Sequence, residues 1–311
     1  MSDRFVLFGI PSFRGEPVRE YHVSMSETQT LLTQAGIRYS MTMLAGDPYL
    51  SKCRNRILSS FLTDFPQATD LFFLDDDIGW PAEAVLRLLD LPHDVVCGVY
   101  PKKQDSLSFP VTLELDANGD VIRDGNLVSG ALIPTGFLRI KRRALEKLAM
   151  VSPKYEETDA FGKTLVQWSF VEAKYVDPDM EALKDTDLSQ LSREDAIAHL
   201  RRALGLTIHP GIGQWWGEDY WFSHRWRAMG GKVWVDPEIA FTHRGSKAWA
   251  ATFGDSVRAT VEARKADAAK TKVPGRTADG PGGAGDHSDA GVADAGQGAC
   301  DGPSSRVDGD G

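Results

Sequence analysis

The apolar run Leu71-Phe72-Phe73-Leu74 ends abruptly in three consecutive acids, Asp75-Asp76-Asp77. A continuous run of large apolar residues, without alternation, is the mark of a strand covered on both faces. Its neighbours keep the same rhythm. Phe5-Val6-Leu7-Phe8 reads as a short buried strand closed by Gly9 and Pro11, and a helical stretch over 20–35 ends at Gly36. Residues 37–44 alternate like a second strand, and Ile57, Leu58, Phe61, Leu62 and Phe65 form one face of a helix stopped by Pro66. A helix begins near Pro81, and residues 95–100 read as another buried strand. Strands alternating with helices imply crossover connections. The expected fold is therefore α/β, a three-layer α/β/α domain around a mainly parallel sheet.

The second half is more mixed. Residues 111–115 alternate, Asn118-Gly119 is a strong hairpin turn, and Val121-Ile122 starts the return strand. Phe137-Leu138-Arg139-Ile140 predicts a strand, followed by a helix carrying Ala144, Leu145 and Leu148. Residues 155–191 are polar and give no clear pattern. A helix over 192–204 has Ser192 as its cap and Asp195 at the capping-box distance. A Gly-rich stretch with Trp215 and Trp216 leads into a helix over 219–229, and short strands at 233–235 and 239–241 close the fold.

Composition changes near Lys272. Residues 272–311 contain no Leu, Ile, Phe, Trp or Tyr and are dominated by Gly and Asp. Such a segment cannot offset its ordering entropy by apolar burial, so a disordered tail is expected there. The divisions expected are a main domain over 1–250, a helical extension over 251–271 and the tail over 272–311. The net charge of −9 gives no whole-molecule attraction to nucleic acid. No apolar stretch is long enough to span a membrane, and Asp3 and Arg4 interrupt any signal-peptide core. Cys53, Cys97 and Cys300 are sparse and lack metal-ligand spacing, as suits a reducing, cytoplasmic setting.

Chemistry concentrates in two places. In open α/β sheets ligands gather beyond the carboxyl ends of the strands, where Asp75, Asp76 and Asp77 fall. Carboxylates one residue apart can both reach a divalent cation, and hard oxygen ligands suit Mg²⁺ or Mn²⁺. A solvated turn in which Asp77 starts the next helix is the competing reading. The second place is Gly217-Glu218-Asp219, with Thr242-His243-Arg244-Gly245 further on. Glu218 and Asp219 suit a helix start through the macrodipole, and equally a general base or hydroxyl-gripping carboxylate. His243, following a strand, is the histidine best placed to join a metal site.

The order of these pieces resembles the GT-A fold glycosyltransferases, especially the family-2-like enzymes of bacteria and phages. The matching segments are Arg54-Asn55, Leu71 to Gly79 around the acidic triplet, Gly98-Val99-Tyr100-Pro101-Lys102-Lys103, Thr135-Gly136-Phe137, Gly217-Glu218-Asp219, Trp234 to Pro237 and Thr242 to Gly245. The resemblance implies that Asp75 and Asp77 are the outer members of an Asp-X-Asp motif, with Asp77 on the metal and Asp75 nearer the ribose. It places Asp76, Arg54 and Lys102 with the nucleotide and makes His243 a metal ligand. Glu218 and Asp219 then face the acceptor, with Thr135, Gly136, Trp215 and Trp216 around it. The implied cofactors are Mn²⁺ or Mg²⁺ and a nucleotide-diphosphate sugar, a UDP-sugar first and a GDP-sugar next. The implied reaction moves one sugar to a hydroxyl on a glycan, protein, small molecule or modified DNA base. A processivity motif is lacking, since Ser223-His224-Arg225-Trp226 is a partial echo only. A sugar-nucleotide nucleotidyltransferase, a metal-dependent phosphohydrolase and a non-catalytic carbohydrate-binding protein are the alternatives.

Overall fold

The structure is a computed structural model that describes residues 3–158, 162–176, 187–203 and 214–271. The expected tail over 272–311 lies outside the described residues. The main compact unit is Met1–Ala266. In chain order its first half contains β1 (Phe5–Ser12), α1 (Arg19–Gln34), β2 (Arg38–Ala45), α2 (Leu50–Thr63), β3 (Asp70–Leu74), β4 (Ile78–Gly79), α3 (Glu83–Asp90), β5 (Val95–Gly98), β6 (Thr112–Leu113) and β7 (Arg123–Asp124). Then follow β8 (Leu127–Leu132), β9 (Phe137–Lys141), α4 (Arg142–Val151), β10 (Lys154–Thr158), β11 (Thr164–Trp168) and β12 (Lys174–Val176). The described remainder is α5 (Arg193–Ala203), β13 (Gln214–Trp216), α6 (Glu218–Ala228), β14 (Val233–Asp236), β15 (Ala240–Arg244), β16 (Ala248–Thr252) and α7 (Phe253–Thr271). No described helix is long and apolar enough to cross a membrane.

The central sheet runs β2-β1-β3-β9-β5-β14-β8-β6. Strands β2, β1 and β3 pair in parallel, as do β14 and β5, while β9 lies antiparallel to both β3 and β5. Since β9 opposes each of its neighbours, β2, β1, β3, β5 and β14 all point the same way. The fold is α/β with a mostly parallel sheet flanked by helices, as the sequence predicts.

Period-two burial separates two cores. Leu7, Leu71 and Phe73 pack with Ile57, Leu58 and Phe61 of α2, Leu145 of α4 and Phe222 of α6. Val6, Phe8, Phe72 and Leu74 face the other way, onto Tyr21, Met25 and Leu32 of α1 and Val85 and Leu88 of α3. Full burial of each such side chain stabilises by about 1.5–3 kcal/mol, so the two faces fix the strand register.

Three expectations need correction. Strand β1 does not close at Gly9 but pairs with β2 as far as Ser12. Gly9 is there for space, because a Cβ would lie 2.4 Å from the Ile57 side chain of α2. Strand β9 is antiparallel and β8, which the sequence reading missed, returns beside β14. Strand β15 does not close the central sheet but forms a separate one with β16 and β4. The unassigned polar stretch contains the antiparallel hairpin β10–β11. The predicted Asn118-Gly119 turn is present, with Gly119 at φ 82° and Leu115 bridged to Val121. The Ser192 cap also forms, its hydroxyl accepting from the Asp195 N–H at 3.1 Å.

Asn55 of α2 shows why Arg54 is followed by an amide. Its Oδ1 accepts from the N–H groups of Phe170 and Val171 at 2.8 and 2.9 Å, and its Nδ2 donates to the Val171 carbonyl at 2.8 Å. Asn55→Ala leaves these buried backbone groups unpaired and should cost about 2 kcal/mol or more. Urea unfolding measures it; a loss within the error of the fit would show that water replaces the amide.

Candidate functional site

The carboxyl end of β3 delivers Asp75 into a network centred on Arg54. This arginine of α2 is 2% exposed. Its Nη2 donates to Asp75 Oδ1 at 3.0 Å and its Nε to Glu218 Oε1 at 3.4 Å. Burial acts to lower the guanidinium pKa, but the charges of Asp75 and Glu218 overcome it and hold the group firmly cationic. Its Nη1 is buried without a hydrogen-bond partner. An unpaired buried donor on a cation is costly unless an oxygen ligand meets it.

Tyr100 completes the shell. Its hydroxyl donates to Asp75 Oδ2 at 2.8 Å, so both Asp75 oxygens are engaged. Burial, reinforced by the Asp75 charge, raises the phenol well above its usual range and keeps it a donor. Gly136 closes against this pair. A Cβ there would lie 2.0 Å from Asp75 Oδ2 and 2.4 Å from the Tyr100 hydroxyl, so no side chain fits. Its carbonyl accepts from the Asp75 N–H at 2.8 Å. Thr135 beside it is buried, with its hydroxyl unpartnered.

Across Arg54 stands the start of α6. Gly217 is the N-cap, and Glu218 and Asp219 fill the first turn, where the helix dipole favours negative charge. Desolvation first, then repulsion from Glu218, pushes the Asp219 carboxyl up to about 6 despite the Arg54 charge. A carboxylate tuned there can accept a proton near neutral pH. Trp215 is 72% exposed in front of this turn. The Trp216 ring meets His224 edge-on, with centroids 5.3 Å apart. An open indole face beside a carboxylate suits stacking on a sugar or base.

Asp77 forms a second cluster. It pairs with the Lys103 ammonium, and its Oδ1 lies 3.4 Å from His243 Nε2. Burial acts to raise Asp77, but the His243 and Lys103 contacts win and hold the carboxyl below its usual range. His243 Nδ1 is 2.7 Å from the Pro101 carbonyl, which can only accept, so the ring donates through Nδ1. Its Nε2 is thus turned toward Asp77, in the orientation imposed on metal-binding histidines by a second hydrogen bond. The Tyr100 ring packs edge-on against His243, centroids 4.8 Å apart, and so touches both clusters.

Asp76 points elsewhere. It accepts from the Ser12 hydroxyl at the end of β1, which itself accepts from the Gly15 N–H at 2.8 Å. Burial raises its carboxyl, the Ser12 bond opposing.

The structure thus brings Arg54, Asp75, Gly136, Glu218 and Asp219 together, and Asp77 with His243 beside them. The expected trio Asp75, Asp77 and His243 is not one cluster, because Asp75 is turned onto Arg54 and Tyr100. Among the described residues no three His, Cys, Asp or Glu side chains are arranged to hold a metal. Lys102 is exposed, and the lysine that meets the triplet is its neighbour Lys103. Sequence reasoning missed Tyr100, Lys103 and Ser12. Lys103 and Tyr100 lie in a segment already singled out, but nothing in the sequence orders their side chains.

No family model matches the chain, and no curated protein does. Among solved structures the chain is similar to A197 from STIV, with 17% identity and a TM-score of 0.40 over 78% of this chain and 86% of that one. It is also similar to a glycosyltransferase involved in glycosylation of the major capsid of PBCV-1, with 13% identity and a TM-score of 0.27 over 46% and 63%. A third likeness is to 4-diphosphocytidyl-2C-methyl-D-erythritol synthase from Anaerococcus prevotii, with 11% identity and a TM-score of 0.27 over 51% and 81%. At these scores the likenesses assign no family, and the chemistry rests on the side chains.

Two measurements check the geometry. Glu218→Gln removes the neighbouring charge, so the Asp219 carboxyl should titrate below the value of about 6 it has in the native protein. Carboxyl-carbon NMR reads this directly, and an unmoved midpoint would mean that Glu218 does not act on Asp219. Gly136→Ala drives a methyl into Asp75 and should lower the melting temperature by several degrees, in proportion to roughly 1–3 kcal/mol of overpacking.

Proposed function

We propose that this protein is a glycosyltransferase that moves one sugar from a nucleotide-diphosphate donor to an acceptor hydroxyl. The observation carrying this reading is Arg54. A buried guanidinium, kept charged by two acids and left with an unpartnered Nη1, lies beside a carboxyl tuned to about 6. An oxyanion-binding group and a base side by side suit displacement of a phosphate leaving group by a hydroxyl.

In this reading the diphosphate lies toward Arg54 and Lys103. The acceptor hydroxyl approaches from the α6 side, against Trp215. Its oxygen attacks the anomeric carbon, the bond from that carbon to the phosphate oxygen breaks, and the electron pair leaves with the diphosphate. Asp219 takes the hydroxyl proton. Glu218 raises the basicity of Asp219 and anchors Arg54, so the two acids divide the work. Asp76 and Ser12 are offered to the nucleoside, at the end of β1. Asp77 and His243 would hold a divalent cation, Mn²⁺ or Mg²⁺, if one is used. Such an ion would supply positive charge against a departing diphosphate.

Purified protein incubated with a panel of UDP- and GDP-sugars and Mn²⁺ should hydrolyse one donor slowly or transfer its sugar. Asp77→Ala and His243→Ala should each weaken Mn²⁺-dependent donor binding by about 10- to 100-fold, the range for lost metal-site support. Some fall in melting temperature is expected for His243→Ala, because it also loses the Pro101 bond and the Tyr100 contact. Failure to bind any nucleotide sugar would sink the reading. A destabilised His243→Ala variant with wild-type Mn²⁺ affinity would reduce that residue to a packing role.

A further inference from the structure

A cavity of about 330 Å³ lies at the end of the sheet away from the acidic triplet. Asp94 and Lys232, in its lining, immediately precede β5 and β14, whereas the acidic triplet follows β3, which points the same way. The two sites therefore occupy opposite poles. Lys232, Arg143 and Lys147 contribute three long cations to the cavity, the last two from α4. Asp94 is their acidic neighbour, and it pairs with Arg143. The fourth basic group, His93, has its Nε2 3.2 Å from Asp124 Oδ2. Burial holds its imidazole below the usual range, so it adds no charge at neutral pH.

The lining thus carries a local positive surplus on a chain whose net charge is −9. Two buried indoles form a fixed part of its otherwise polar wall. Trp234 is 7% exposed and Trp226 4%, and the Trp226 Nε1 is committed to the Lys232 carbonyl at 2.9 Å. The Lys232 ammonium sits 5.7 Å from the Trp234 ring centroid, against a surface that lowers the local dielectric. Cations lining a cavity of this size suit a small multivalent anion, while the acidic chain as a whole repels a polyanion.

We infer that this cavity is a second binding site, for a small phosphate-bearing anion held by Arg143, Lys147 and Lys232 and separate from the acidic triplet. It requires neither the triplet nor a metal ion.

The test is calorimetric titration of the full chain with inorganic pyrophosphate in the presence of EDTA. Saturable binding is expected. The double variant Lys147→Ala/Lys232→Ala should weaken it by at least about tenfold, since each lysine supplies a charge-assisted hydrogen bond. Both lysine side chains are exposed, so the melting temperature should not move. The charge-keeping variant Lys147→Arg/Lys232→Arg should retain affinity, and so should Lys103→Ala, which removes a cation at the triplet instead. Absence of saturable binding, or binding unaffected by the double alanine variant, would overturn the site. Loss of binding in Lys103→Ala would place the anion at the triplet instead.

Discussion

A charged guanidinium has been taken out of water at Arg54, and the surrounding architecture answers it. Desolvating a cation costs several kcal/mol, and the cost is offset only when the partners hold good geometry. Asp75 supplies one partner from β3 and Glu218 the other from α6. Each acid is in turn held from behind, Asp75 by Tyr100 and the Gly136 loop, Glu218 by the first turn of its helix. Removing either acid would leave the charge half compensated and also change the electrostatics around Asp219. Stability and chemistry are therefore coupled at this point, and a conservative Arg54→Lys change would not be neutral. An ammonium has no planar fork with which to meet two acids and still present a donor.

The polarity of the sheet organises the rest. Strands that point together bring the end of β3 and the segment after β5 to one pole, where Tyr100 links the Arg54 network to the Asp77–His243 pair. Strand β9 points the other way, so its first residues arrive at the same pole from the opposite direction. That reversal lets Gly136 lie against Asp75 without a crossover helix.

Much of this was legible in the sequence, for physical reasons that also mark the limit. Periodicity reports burial, so the apolar runs of β1, β3 and β5 and the faces of α2 and α3 could be read directly. Strand direction leaves no trace in periodicity, which is why the reversal of β9 and the transfer of β15 to a separate sheet were not anticipated. At the site, residue types and their place after strands or at a helix start pointed to the aspartates, the α6 acids and His243, and the family resemblance added Arg54 and Gly136. The partner of each was not readable. Asp75 binds an arginine and a tyrosine, and Lys103 rather than Lys102 reaches Asp77, because side-chain direction in a loop depends on tertiary contacts. The orphan Nη1 of Arg54 could not be inferred at all, since it exists only once both acids are in place.

The contact between Arg54 and Glu218 joins positions 164 residues apart in the chain. Loop-closure entropy must be met before such a contact contributes, and contacts of this span form slowly. A nascent chain that has emerged only through β9 therefore holds Asp75 and Arg54 but no α6, with the guanidinium short of one acid. The site matures late, after the chain has returned across the sheet. The Arg54 network is thus complete only in the finished fold, and until then the guanidinium lacks one of its two acids.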